Sequence, residues 1–270
     1  NEFFYSGGDI RNITVLLLLT IGLSQDYSLQ FDGVDDYVHF DNYITNEPDE
    51  FTISCDLKML RLSGYPDNQS NIIEQGIGGL WNLGYDLPSQ ELMFAVYREG
   101  TNHPLYGNWS KIFSPAVLDE WVTIHCTYNR NLAEIKMYID GTLVASDAAP
   151  TERLTSINYQ PSFGGRQNSE KTIDALIDNI AIWNIALSDE QILSEIDTEL
   201  IGEESNLLGF WNFNTGQGNI VYDNSDNSNN GIFTNMDESS WVENTYGCST
   251  EPDACNYEEG GNFTNQICLY

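Results

Sequence analysis

Apolar and polar residues alternate along much of this chain. Phe51, Ile53, Cys55, Leu57 and Met59 fall on one parity, and Thr52, Ser54, Asp56 and Lys58 on the other. That is the pattern of a β-strand with one face buried. Residues 121–128 repeat it. Val122, Ile124, Cys126 and Tyr128 share the apolar face, while Thr123, His125 and Thr127 take the solvent-facing one. After a turn at 129–131, Ala133, Ile135, Met137 and Ile139 resume the alternation, and Asp140-Gly141 signals a two-residue turn into residues 142–145. Shorter strands are expected at 28–31, 37–40, 80–85, 92–97, 162–165, 175–183 and 207–213. Many short strands separated by Gly, Asn and Asp turns predict an all-β sandwich or barrel. One helix is predicted: Ser188-Asp189-Glu190-Gln191 reads as a capping box, and Ile192, Leu193 and Ile196 follow at helical spacing.

Residues 13–23 break this pattern as an unbroken run of eleven, apolar apart from two threonines and a glycine. A membrane span needs about 20 residues, whereas this length suits the apolar region of an export signal. The competing reading is a buried strand. Residues 1–10 carry Glu2 and Asp9 and do not suit a signal's start. From Cys248 onward, composition shifts to cysteine, asparagine and glycine. The expected organisation is an extension with signal at 1–24, one sandwich domain at 25–246 and a truncated cysteine-rich repeat at 247–270.

Composition narrows the function. Apolar residues make up 41% of the chain, enough for a substantial core. Ten Lys and Arg stand against 41 Asp and Glu, a formal charge of -31. Such a surface repels phosphate backbones, so nucleic acid is excluded as a partner. The acidity serves solubility in a salty medium or binding of Ca²⁺, which takes carboxylate and carbonyl oxygens. In an exported chain disulfides are the default, and five cysteines leave one over.

Candidate chemistry is sparse. Asp178 shares parity with Leu176, Ile180 and Ile182, and a carboxylate on an apolar face needs a hydrogen-bonded partner or a cation. Residues 226–231 have the D-x-S-x-N-G spacing that opens an EF-hand loop, with Asp237 at the twelfth position, so Asp223 and Asp226 are further calcium candidates. An Asp/Asn/Gly turn explains the same residues. Trp81, Tyr85, Tyr106 and Trp109 lie in the middle of the chain. They would either stack on a sugar or pack in the core. His39, His103 and His125 are the only histidines, and no nucleophile constellation or phosphate-binding glycine loop occurs.

Several segments, in order, resemble laminin-G-like domains of the concanavalin A-like lectin and glucanase type, found in secreted Bacteroidetes-type proteins. They are LQFDGVDDYV at 29–38, FTIS at 51–54, WVTI at 121–124 with YIDGTLV at 138–144, IDNIAIWN at 177–184 with ALSDEQI at 186–192, and GFWNFN at 209–214. In many relatives the last of these comes before the first, so the order here reads as permuted, with Trp211 and Phe213 in the core. The resemblance implies an antiparallel two-sheet jelly-roll sandwich with one short helix and a small cysteine-rich tail. It implies a structural Ca²⁺ at Asp178 near the first strand, with Asp32. Pentraxins share this fold, and their cysteine placement implies a Cys55–Cys126 disulfide. EIDTE at 195–199 is similar to the catalytic strand of laminarinase-type hydrolases, but here it continues a predicted helix, which separates its carboxylates. The implied function is a secreted or cell-surface, non-catalytic recognition module, adhesive or carbohydrate-binding and calcium-stabilised, whose partner is a glycan or an extracellular protein. The alternatives are a passive spacer domain and a carbohydrate-active hydrolase of the same fold.

Overall fold

The computed structural model describes residues 26–45, 48–61, 69–75, 80–97, 109–149, 151, 160–166 and 171–244, and of Trp109 only the backbone. The apolar segment at 13–23, Tyr106, His103 and the tail with Cys248, Cys255 and Cys268 lie outside these residues.

Among the described residues, sixteen strands and one α-helix follow in chain order. They are β1 (Tyr27–Asp32), β2 (Tyr37–His39), β3 (Glu50–Met59), β4 (Gln69–Gln75), β5 (Trp81–Asp86), β6 (Glu91–Tyr97), β7 (Trp109–Pro115) and β8 (Trp121–Asn129). Then come β9 (Glu134–Ile139), β10 (Thr142–Ala148), β11 (Pro161–Phe163), β12 (Asp174–Trp183), α1 (Asp189–Ile196), β13 (Leu207–Trp211), β14 (Ile220–Val221), β15 (Gly231–Thr234) and β16 (Trp241–Glu243). Sheet A has the order β10-β9-β8-β3-β12-β1-β16, with β13 also pairing β12; sheet B runs β14-β15-β2-β11-β4-β5-β6-β7. The two pack face to face as a jelly-roll sandwich, and the strands pair antiparallel throughout.

The alternating residues build the core as expected. Phe51 packs its ring against Trp81, Phe94 and Tyr128 with centroids 5.3–6.2 Å apart. Phe40, Phe163 and Trp211 form a second aromatic cluster. Burying each such ring contributes about 1.5–3 kcal/mol. Trp211 and Phe213 are buried, as the permuted reading requires.

Helix α1 starts with the predicted capping box: Gln191 N–H donates to the Ser188 hydroxyl and Ser188 N–H to the Gln191 side chain. It covers the outer face of sheet A, where Ile192, Leu187, Tyr138, Ala181, Trp183 and Phe210 form a small second core. Glu195 and Ile196 belong to this helix and Asp197 caps its end, so residues 195–199 form no strand.

One expectation about parity fails. A bulge interrupts β12 between Asp178 and Ala181, where Asn179 has φ 47°. The extra residue shifts parity, so Asp178 stands opposite Asp56 on the outer, polar face, while Ile180 and Ile182 still point into the core.

Candidate functional site

Sheet B carries a continuous row of side chains on its outer face. Cross-strand register aligns Ile232, His39, Ser162, Glu74, Asn82, Ala95 and Lys111 from β15 to β7. Alternation produces the row: Ile73, Leu83, Phe94 and Ile112 point inward, so their neighbours point out. The next row holds Asn71, Gly84, Met93 and Phe113. Small residues form the floor beside Asn82. Gly84 is required there, because a Cβ would lie 2.3 Å from the Ser70 carbonyl and 2.8 Å from Asn82 Oδ1.

The polar groups are tied into one network. Arg166 donates to Glu74 from Nε at 2.9 Å and Nη2 at 3.0 Å, a bidentate pair with little solvent contact. Asn82 Nδ2 donates to Asn71 Oδ1 at 2.6 Å and lies 3.4 Å from Glu74 Oε2. The Glu74 carboxylate fixes the Asn82 amide: a carbonyl turned that way would face like charge. That in turn fixes Asn71. Two buried atoms are left without partners, the donor Asn71 Nδ2 and the acceptor Asn82 Oδ1. Such an atom costs about 1–3 kcal/mol unless water or a ligand satisfies it.

Sheet A holds a second polar cluster under α1. Register aligns Tyr138, His125, Ser54 and Ala181 in one row, and Thr123, Asp56 and Asp178 in the next. His125 Nε2 pairs with Glu195, whose other oxygen accepts from the Ser54 hydroxyl at 3.2 Å. His125 is fully buried and not solvent-facing as its parity suggests, because α1 covers it. Asp56 accepts from Thr123 at 2.6 Å and from Asn179 Nδ2 at 2.9 Å. Asp178 accepts from Asn179 N at 2.7 Å and from Asn244 Nδ2 at 2.9 Å, and the same Asn244 amide reaches Asp26 at 3.1 Å. Burial pushes the Asp178 carboxyl well above the usual range, and the nearby Asp26 and Asp56 push it further. Burial raises Asp56 too.

The sequence profile of the Laminin_G_3 family, described as the concanavalin A-like lectin/glucanases superfamily, matches residues 32–193. The chain belongs to this superfamily. Among solved structures, a Bacteroides ovatus protein proposed to bind carbohydrate resembles this concanavalin A-like domain with a TM-score of 0.61 and 13% identity. The likeness covers 78% of this chain and 58% of that one. The binding domain of Paraclostridial Mosquitocidal Protein 1 gives a TM-score of 0.49 and 16% identity, covering 63% and 42%. A SAP-like pentraxin from Limulus polyphemus gives 0.47 and 11%, covering 63% and 81%. At these identities the likeness concerns the fold. No curated protein sequence matches the chain.

Within this concanavalin A-like domain the candidate residues disperse. Asp32 and Asp178 are not a pair: Asp32 stands opposite Asp174 on β12, four register positions from Asp178, roughly 13 Å along the strand. Asp32 instead gathers with Asp35 and Asp36, their oxygens within 4.8 Å of one another. Asp36 is pushed up to about 6 by burial and by its acidic neighbours. Asp223 clamps its own loop, accepting backbone N–H groups from Phe210, Ser225 and Asn229 at 2.7–3.0 Å. Asp226 is exposed beside it, and Asp237 caps the short 3₁₀ turn at Glu238–Ser240. Trp81 and Tyr85 point into the core and are fully buried, with Trp81 Nε1 donating to Thr45, so neither is a sugar platform. Trp109 opens β7, on the edge of sheet B.

Cys55 and Cys126 are free, buried thiols, and the implied disulfide is not formed. They lie on paired strands, but Cys55 stands opposite Ile124 and Cys126 opposite Ile53. That diagonal offset sets backbones about 7–8 Å apart, beyond the usual span of a disulfide.

Sequence reading missed Asn71, Glu74, Asn82 and Arg166. The signal was there in part: Asn82 and Gly84 alternate with Trp81, Leu83 and Tyr85. Strand β4, QSNIIEQ, hides its parity behind a bulge between Asn71 and Ile73.

Proposed function

We propose that this chain is an extracellular, non-catalytic recognition module that binds a glycan on the outer face of sheet B. The observation that carries the reading is the row from His39 through Glu74 and Asn82 to Lys111, with its unsatisfied Asn71 and Asn82 atoms. Planar amides, a bidentate Arg–Glu pair and small floor residues suit hydroxyl groups, which both donate and accept. Phe113 and Tyr97 on the neighbouring rows offer apolar surface to a sugar ring. The carbohydrate-binding description of the Bacteroides ovatus relative supports the same class of ligand. An exported location is consistent with the apolar run at 13–23.

The test is a glycan array probed with the full chain, with Arg166→Ala and Lys111→Ala as site variants and Leu132→Ser as an exposed control. Binding that falls in both site variants and persists in the control supports the reading. Absence of binding to any glycan leaves the spacer role.

The resemblance also implies calcium. The tightest carboxylate group among the described residues is Asp32, Asp35 and Asp36, with oxygens within 4.8 Å of one another, but a cation is most needed at the buried carboxylates around Asp178. Asp178, Asp26 and Asp56 offer hard oxygen donors, and Asp178 and Asp56 sit where burial penalises uncompensated charge. The Ser28 hydroxyl, on the strand beside β12, is buried without a partner. Bound there, Ca²⁺ would neutralise the acidic cluster and tie β1, β3 and β12 together. It would act in structure and not in chemistry.

A further inference from the structure

We infer that the glycan taken by the sheet B site is neutral and is recognised through hydroxyl groups, not through a carboxylate or sulfate. This rests on the proposed glycan-binding role of that face.

The two unsatisfied atoms are an uncharged donor, Asn71 Nδ2, and an uncharged acceptor, Asn82 Oδ1. They belong to amides joined by the 2.6 Å bond between Asn82 Nδ2 and Asn71 Oδ1, so the two unmet atoms sit on one network. A hydroxyl meets either requirement, because it donates once and accepts twice. An anionic group only accepts, so it would satisfy Asn71 and leave Asn82 Oδ1 unpaired. It would also face the Glu74 carboxylate, which lies 3.4 Å from the Asn82 amide.

The nearby cations are engaged: Lys171, whose carbonyl accepts from Asn71 N at 2.7 Å, donates its ammonium to Gln69 Oε1 at 3.0 Å. Arg166 directs Nε and Nη2 at Glu74, 2.9 and 3.0 Å away, so its charge is balanced by that carboxylate. Lys111 is the other cation on the row and stands two strands from Asn82, beyond Ala95. Around it the whole chain carries a charge of -31, which opposes approach of an anionic polymer.

The experiment is affinity electrophoresis of the full chain in gels holding neutral polysaccharides (glucan, mannan, xylan, galactan) or anionic ones (alginate, polygalacturonate). The expected result is retardation by at least one neutral polymer and by neither anionic one. Asn71→Asp and Asn82→Asp, each folded by circular dichroism, should weaken that retardation about tenfold or more, the effect of removing a hydrogen-bond partner from a buried polar site. If either aspartate variant fails to fold, Asn71→Ala and Asn82→Ala delete the same groups without adding charge. Retardation by an anionic polymer alone overturns the inference but keeps a glycan-binding role. Neutral binding indifferent to all four substitutions also overturns it, since the amide pair then holds only a structural water. Retardation by no polymer overturns the glycan-binding role itself.

Discussion

Glu195, in the last turn of α1, pairs with Nε2 of His125, a residue fully buried at the centre of sheet A's outer face. The contact joins elements 70 residues apart in the chain and, with the Tyr138–Asp189 bond at 2.7 Å, pins both ends of the helix. It also explains why the EIDTE segment has no cleft to line. Its first carboxylate is spent on the sheet beneath it.

Removing that carboxylate should be costly. Glu195→Ala leaves His125 with both ring nitrogens unbonded, since Nδ1 has no partner already. Denaturant unfolding is expected to show a loss of about 2–4 kcal/mol. Leu193→Ala, on the exposed side of the same helix, should change stability by less than about 0.5 kcal/mol.

Trp81 separates core from platform. Trp81→Ala should cost about 3–5 kcal/mol and abolish any binding only by unfolding the domain. Trp81→Phe, which keeps most of the volume and loses the bond to Thr45, should fold and still bind. Selective loss of binding in a stable Trp81→Phe protein would contradict this assignment.

Acidity should stabilise this fold through Asp36. Its carboxyl is raised from 3.8 to about 6, so the folded state takes up a proton before the unfolded chain does. Stability from this group therefore rises as pH falls from about 6 towards 4, and is lost again above 6. Asp56 and Asp178 act in the same direction. Asp36→Asn still accepts the Asp32 N–H through its amide oxygen. It should be more stable than the parent at pH 8, with the difference gone near pH 4. An unchanged pH profile would count against the buried charge.

Calcium has its own signature. The melting temperature of the chain should be higher with Ca²⁺ than with chelator, Asp178→Asn should remove the difference, and Asp32→Asn should keep it. Equal melting temperatures in the parent reject the site at Asp178.

Both core cysteines should remain reduced. Burial pushes their thiols well above the ordinary range, which suppresses the reactive thiolate. Peptide mapping after alkylation under denaturing, non-reducing conditions should find Cys55 and Cys126 each modified. A Cys55–Cys126 linked peptide would contradict the diagonal register.

Period-two alternation made sheet A legible, because β3, β8 and β9 each bury one face and keep the other polar. It misled at Asp178, where one bulged residue reversed the parity, and at His125, where polar parity met a covering helix and not water. Strands β4 and β7 went unread for related reasons. The bulge sets Ile72 beside Ile73 in β4, and β7, WSKIFSP, alternates short polar residues with few apolar ones. The sheet B site draws on β4 and β7 together with β5 and the turn after β11, so its residues share no stretch of sequence. Asn71, Glu74, Asn82 and Arg166 meet only through cross-strand register.

Backbone amide chemical-shift mapping tests the sheet B site most directly. The isotope-labelled chain would be titrated with whichever oligosaccharide binds it best. The expected shifts centre on Asn71, Glu74, Asn82, Ala95 and Arg166. Shifts confined to the acidic turn at 32–36 or to the loop at 223–230, with β4 and β5 unmoved, would contradict it.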